Sequence, residues 1–177
     1  MAELLIQKSD FETYRNIGNI NYEKDLQPHV LKIQRGVIRD LLGDSLYYDL
    51  WNNQLESKYI TLLNGGTFTL NSNTVQLFGL KPVIVLYAYA SFVRENSFKI
   101  TRAGNKIKNK TESSQPTPEE LDSEIAQANS EAQMYAINVK AFLTKEISIY
   151  HLYEGNKLTQ GSVRARMTVQ DEYKTVR

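Results

Sequence analysis

Between Gly79 and Asn96 the chain reads GLKPVIVLYAYASFVREN, and from Leu80 to Val93 every residue except Lys81 and Ser91 is apolar. Nine such residues run without a break from Pro82 to Ala90. A helix with no wet face is a buried helix. The run is shorter than the roughly 20 apolar residues that a bilayer span requires, and Arg94 and Glu95 close it with charge. It therefore reads as the central helix of a domain. Pro82 is accommodated because it falls in the first turn, where a backbone N–H has no intrahelical partner. Val83, Tyr87 and Ala90 are expected to face one neighbour, and Leu86, Tyr89 and Val93 another.

The flanking sequence supplies candidates for those neighbours. A helix is expected from about Pro28, with Val30, Ile33, Val37 and Leu41 as its apolar stripe and Gly43 as its stop. Asp44 is expected to cap a second helical run carrying Leu46, Tyr47, Leu50, Trp51 and Leu55, broken around Asn52-Asn53 and ending in Tyr59 to Leu63 before Gly65-Gly66. The period then changes to two. Thr67 to Leu70 and Thr74 to Leu77 alternate polar and apolar about Asn-Ser-Asn, which predicts a β-hairpin. A lone hairpin is marginal in water, so it must pack on the helices or on another subunit. After the central helix, Phe98 to Thr101 is a candidate short strand, and Arg102 to Gln115 reads as a polar loop.

Thr117-Pro118-Glu119-Glu120 carries a capping box with proline at the first helical position. Leu121, Ile125, Ala128, Ala132, Tyr135, Val139 and Phe142 then follow heptad spacing, a seam expected to pack on the central helix, with an intersubunit coiled coil as the alternative. The early acids Glu119, Glu120, Asp122 and Glu124 and the late Lys140 and Lys145 suit the helix dipole, so the acids are not read as a metal site. The expected architecture is mainly α: a compact helical bundle around a buried central helix (about 80–96) and a long C-terminal helix (about 118–145). A small β-hairpin (about 67–78) and extended N- and C-terminal arms complete it. The 177 residues divide into a loosely structured N-terminal arm or wrap (1–26), a helical domain (27–146) and a C-terminal arm (147–177), whose start Ile149, Leu152 and Tyr153 are expected to anchor.

Lys plus Arg number 21 and Asp plus Glu 20, so any case for nucleic acid must be local rather than global. There is no cysteine, which removes disulfides, thiolate nucleophiles and cysteine metal sites and suits a chain made in a reducing cytosol. The beginning MAELLIQKSDF is not a signal peptide. His29 and His151 stand alone, outside any ligand spacing, and read as surface or boundary residues. Gly65-Gly66 lacks the GK[ST] of a phosphate loop. No enzyme, cofactor or metal site is expected. What remains is basic: Arg102, Lys106, Lys108 and Lys110 in the polar loop, and Lys157, Arg164 and Arg166 in the C-terminal arm. Neither patch interleaves the aromatic residues that a single-strand binder uses, but repeated around a ring such a loop would matter to a duplex passing through.

Several strings in order resemble a known family. They are Leu26-Gln27-Pro28 to Gln34, Leu41-Leu42-Gly43-Asp44, Tyr47-Tyr48-Asp49-Leu50, Tyr59, and Leu62 to Phe68. Gly79-Leu80-Lys81, Tyr87-Ala88-Tyr89-Ala90, Phe92, Thr101 to Lys108, and Ser114-Gln115-Pro116 continue the series. Over residues 4–150 the chain resembles the head-tail connector (adaptor, head-completion or ring) proteins of tailed bacteriophages, most closely those of crAss-like and other Bacteroidetes phages. It departs from the pattern at Gln115, where an acid is expected before Pro116, and at His151, where a proline is expected after Tyr150.

The resemblance implies a structural virion protein, assembled in the host cytoplasm, that forms a twelve-fold homo-oligomeric ring at the capsid–tail neck. Its implied partners are the portal protein, further neck or tail rings, and DNA passing non-specifically through the channel, with no membrane. The N-terminal arm and the hairpin with its flanks are assigned to neighbour contacts, and the C-terminal arm to the portal or the next tail-side ring. The competing reading is a small nucleic-acid-binding module acting through the 102–110 loop and the C-terminal arm.

Overall fold

The computed structural model describes residues 4–15, 17–18, 20–101, 104–107 and 117–155, with the backbone alone for 97–101 and 104–107. It is mainly helical, with a small antiparallel hairpin and a long C-terminal helix. The helices are α1 (Lys8–Tyr14), α2 (Gln27–Ile33), α3 (Arg39–Leu42), α4 (Asp44–Asn52), α5 (Ser57–Asn64), α6 (Leu80–Ser97) and α7 (Pro118–Lys145). π turns occupy Tyr22–Leu26 and Gln34–Ile38, and the strands are β1 (Gly66–Leu70), β2 (Asn73–Leu77), β3 (Phe98–Thr101) and β4 (Gly104–Ile107).

Helix α6 is the buried centre, enclosed from Leu80 to Ala90 apart from the half-buried Lys81, Tyr87 and Tyr89. Its most extensive neighbour is α7, whose seam residues Ile125, Ala128, Ala132, Val139 and Phe142 are buried within the chain. Thr117 begins α7 with the reciprocal cap, its hydroxyl accepting from the Glu120 N–H (3.2 Å) and its own N–H donating to the Glu120 carboxylate (2.7 Å). The two polar residues inside the apolar run of α6 each receive an earlier element. Lys81 Nζ meets Asp10 of α1 at 2.7 Å, and Ser91 Oγ lies 3.0 Å from His29 Nδ1 of α2.

The described residues between 4 and 26 form a wrap packed on the core. Leu5, Ile6, Phe11, Ile17 and Tyr22 all join the main core, because α1 brings Phe11 edge-on to Tyr22, with ring centroids 6.1 Å apart. The wrap is fastened by Gln34, fully buried, whose side-chain oxygen accepts from the Leu5 N–H at 2.9 Å.

Other expectations are corrected. The π turn between α2 and α3 slips the helical phase by one residue, so Val37 points out and Ile38 takes its place in the core. Asp44 does not cap α4; the preceding Gly43 holds that position, and the Asp44 carboxylate instead grips Arg39 through two hydrogen bonds of 2.6 and 3.0 Å. Leu55 falls in the connection after α4 and is 91% exposed. His29 is not a surface residue. It is buried beside Phe92, and burial lowers its pKa. The stretch read as polar loop contains β4, which pairs with β3. Beyond α7, Tyr150 and Tyr153 anchor the chain in the core, while Ile149 is exposed.

The β1–β2 hairpin turns on Asn71 and Ser72, both at positive φ (49° and 66°), the backbone of a two-residue turn matched to strand twist. Gly65 and Gly79 pinch its base. Both have positive φ (91° and 80°), and a Cβ on Gly79 would lie 2.5 Å from the Leu63 carbonyl oxygen and 2.6 Å from the Gly65 nitrogen. Only glycine allows α5 to end and α6 to begin in backbone contact there.

Candidate interaction surfaces

Of the basic residues singled out in the sequence, Arg102, Lys108, Lys110, Lys157, Arg164 and Arg166 lie outside the described residues. Lys106 falls in β4, opposite Lys99 in the ladder register. The described residues therefore do not assemble the two basic patches into one site.

They do present two unlike surfaces, one on each side of the β1–β2 hairpin. The first is apolar and lies where α7 meets β2. Met134 and Ile137, three residues apart on α7 and so on one face, are 63% and 59% exposed. About 100° or more round α7 from both, on the side that faces the hairpin, Phe78 packs on Tyr135, with centroids 4.9 Å apart, and is itself exposed. Asn138, one helical step from Tyr135, holds the hairpin in place: its amide nitrogen donates to the Gln76 carbonyl (2.9 Å) and its oxygen accepts from the Phe78 N–H (3.1 Å). The polar rim is Glu131, which accepts from Arg15 at 2.9 Å while that guanidinium lies 5.5 Å from the centre of the Tyr89 ring. Tyr89 in turn donates to Glu124 at 2.5 Å, and burial, reinforced by this bond, pushes its pKa up to about 12.

The second surface is an open groove of about 620 Å³ between α5, β1 and the end of α7. Thr67, Phe68 and Thr69 form one wall, and Phe142, Ile149 and Tyr150 the other. The Tyr150 hydroxyl donates to the Lys58 carbonyl at 2.6 Å, and burial raises its pKa to about 12, so it remains a neutral donor at any physiological pH. Lys58 lies 3.2 Å from Glu56 and 3.6 Å from Asp49, and Asp49 also accepts from Tyr59. The Tyr59 hydrogen bond is the main reason the Asp49 carboxyl lies below its usual range. These groups satisfy one another and hold Lys58 at the edge of the groove. Ile60, Ile147 and Ile149 are exposed residues of the same elements.

Among the described residues no group of three or more His, Asp or Glu is placed to hold a metal ion, and no described helix is long and apolar enough to cross a membrane. Sequence reasoning singled out the hairpin with its flanks but not the residues of α5, α7 and 149–150 that complete the two surfaces. Their residues are scattered over four elements, and the helix-period reading of α7 followed its buried seam rather than Met134 and Ile137.

No curated protein and no solved structure matches the chain. A family model matches residues 38–162, from the end of the second π turn through α7 and past the buried tyrosines. With more than half of its length so matched, the chain belongs to DUF6712, a family of unknown function.

Proposed function

We propose that this protein is a structural component of a phage neck: a subunit that assembles head to tail into a ring beneath the portal and continues the DNA channel toward the tail. The observation that carries the proposal is the pair of unlike exposed regions on one compact subunit, apolar residues on the outer side of α7 (Met134, Ile137) and at the hairpin base (Phe78), and a groove around Thr67, Thr69 and Ile149. Ring subunits interact through heterologous contacts, and such contacts need two different complementary faces. The sequence resemblance to connector proteins points the same way. In the ring reading, the basic sequence of this region, Lys99, Arg102, Lys106, Lys108 and Lys110, repeated in every subunit, is the source of positive charge for the channel. That charge acts non-specifically on phosphates.

Native mass spectrometry of the protein alone, and mixed with the portal protein of the same phage, tests this. The expected result is a ring of defined stoichiometry on the portal. A monomer that ignores the portal refutes the proposal. Tight, steeply salt-dependent duplex binding by that monomer would favour the nucleic-acid module instead.

A further inference from the structure

The two edges of the β1–β2 hairpin are treated differently. The two-residue turn makes Leu70 and Asn73 a hydrogen-bonded pair, so the alternate pairs Thr69–Thr74 and Thr67–Gln76 turn their N–H and C=O groups outward. On the β2 side the Gln76 carbonyl and the Phe78 N–H just beyond the strand meet α7, where the single amide of Asn138 takes both. A side chain there blocks the base of that edge. On the β1 side, no described residue bonds the outward backbone groups of Thr67 and Thr69. That open edge borders the groove walled by Phe142, Ile149 and Tyr150.

The sequence contains a segment matched to such an edge. Ser162-Val163-Arg164-Ala165-Arg166-Met167-Thr168-Val169-Gln170 is apolar at 163, 165, 167 and 169 and polar at every position between. This period of two, sustained over the whole segment, is that of a strand with one buried face. No proline or glycine follows Gly161 to interrupt a ladder.

We propose that residues 163–169 of one copy pair with the β1 edge of the neighbouring copy as a third strand of its hairpin. The inference rests on the ring reading and names the contact that joins its subunits. Main-chain bonds to Thr67 and Thr69 supply affinity, and alternate side chains supply register, as in strand addition generally. Val163, Ala165, Met167 and Val169 continue the face of Phe68 toward Ile149. Arg164 and Arg166 fall on the Thr67 and Thr69 face, in solvent.

Donation to a neighbour, rather than folding back, follows from the ring reading, in which each copy must hold the next. Over the described residues the path of the chain runs past the groove. It touches the groove at Ile149 and Tyr150 and then leaves it, with Glu154 reaching Ser45 at 3.4 Å and lying beside Gly43.

Because the chain has no cysteine, introduced pairs report unambiguously. Two singly substituted proteins, one carrying Thr67→Cys or Thr69→Cys and the other Arg164→Cys, Arg166→Cys or Thr168→Cys, are mixed, assembled with the portal and oxidised. The expected result is a disulfide between the two different chains in one register. Met167→Asp in the donor should cut its yield by about tenfold or more, the scale set by burying one apolar side chain of that size.

A disulfide that forms only within a doubly substituted chain, at dilution, overturns donation between copies. If no pairing cross-links while a ring assembles on the portal with or without residues 162–177, the inference falls and the ring reading stands. Cross-links from the tail to the portal alone overturn the inference as well. If the unmodified chain forms no ring, both fall together.

Discussion

Replacing Gly79 by alanine tests the joint on which the hairpin is mounted. At φ 80° an L side chain is strained by about 1–2 kcal/mol. The new Cβ would also sit 2.5 Å from the Leu63 carbonyl oxygen and 2.6 Å from the Gly65 nitrogen. Both obstacles are backbone, so relief requires α5 and α6 to move apart, an overpacking cost of about 1–3 kcal/mol. Together the two effects destabilise the chain by about 2–5 kcal/mol, a fall in Tm of roughly 5–15 °C for a domain of this size.

Gly36→Ala is the matched control. No heavy atom lies within 4 Å of where its Cβ would be, and it stands inside a helical run. The change there should stabilise by about 0.5–1 kcal/mol, because alanine has fewer unfolded conformations to lose. Thermal and urea melts followed by circular dichroism give both values. A Gly79→Ala variant within 1 kcal/mol of the parent would refute the argument that backbone contact at that joint is what demands glycine.

Three further outcomes are expected. Gln34→Ala should cost about 2–4 kcal/mol in urea unfolding, since it leaves the Leu5 N–H without its buried acceptor and opens a cavity. Truncation after Tyr153 should leave the Tm within a few degrees of the parent, whereas truncation after Glu146 removes Tyr150 from its packing on Phe142 and its bond to Lys58. That loss is about 3–5 kcal/mol, and equal stability of the two truncated proteins would contradict it. Finally, the folded state holds the Asp49 carboxyl below its ordinary value of about 3.8. The stabilisation is therefore fully present above that pH and lost as pH falls through the lowered pKa. Urea titrations from pH 7 downward should show the gap between the parent and Asp49→Asn closing in acid, and a gap independent of pH would count against it.

Much of the frame was legible in the sequence because it rests on strong local signals. The apolar run of α6 permitted only burial, the change of period after Gly66 marked the hairpin, and Thr117-Pro118-Glu119-Glu120 located the start of α7. What was hidden depends on partners distant in sequence. Nothing local distinguishes Val37 from Ile38 as the inward residue, since a π turn contributes no motif of its own. Asp44 has the composition of a cap, and its role as a clamp on Arg39 follows only from the geometry across Gly43. The burial of the N-terminal wrap depends on Gln34 and Lys81, polar residues whose partners lie 29 and 71 positions away. The strand-like alternation of residues 163–169 goes unseen when the tail is scanned at helical spacing. Its proposed counterpart, the open edge of β1, becomes visible only in the hairpin register, which turns the Thr67 and Thr69 backbone groups outward beside the groove.

The position of α6 in the chain also bears on how the protein is made. Lys81 and Ser91, where α1 and α2 are fastened, leave the ribosome only after the whole of the wrap, the first five helices and the hairpin have been synthesised. Until then Phe11, Leu26, Val30 and Leu50, fully buried in the finished fold, have no central helix to cover them. The second wall, α7, arrives later still. A nascent chain of this design cannot lock in an N-terminal subdomain and add the rest. It remains collapsed but unfixed until the middle of its sequence appears, and that interval is when chaperones and proteases have access to it.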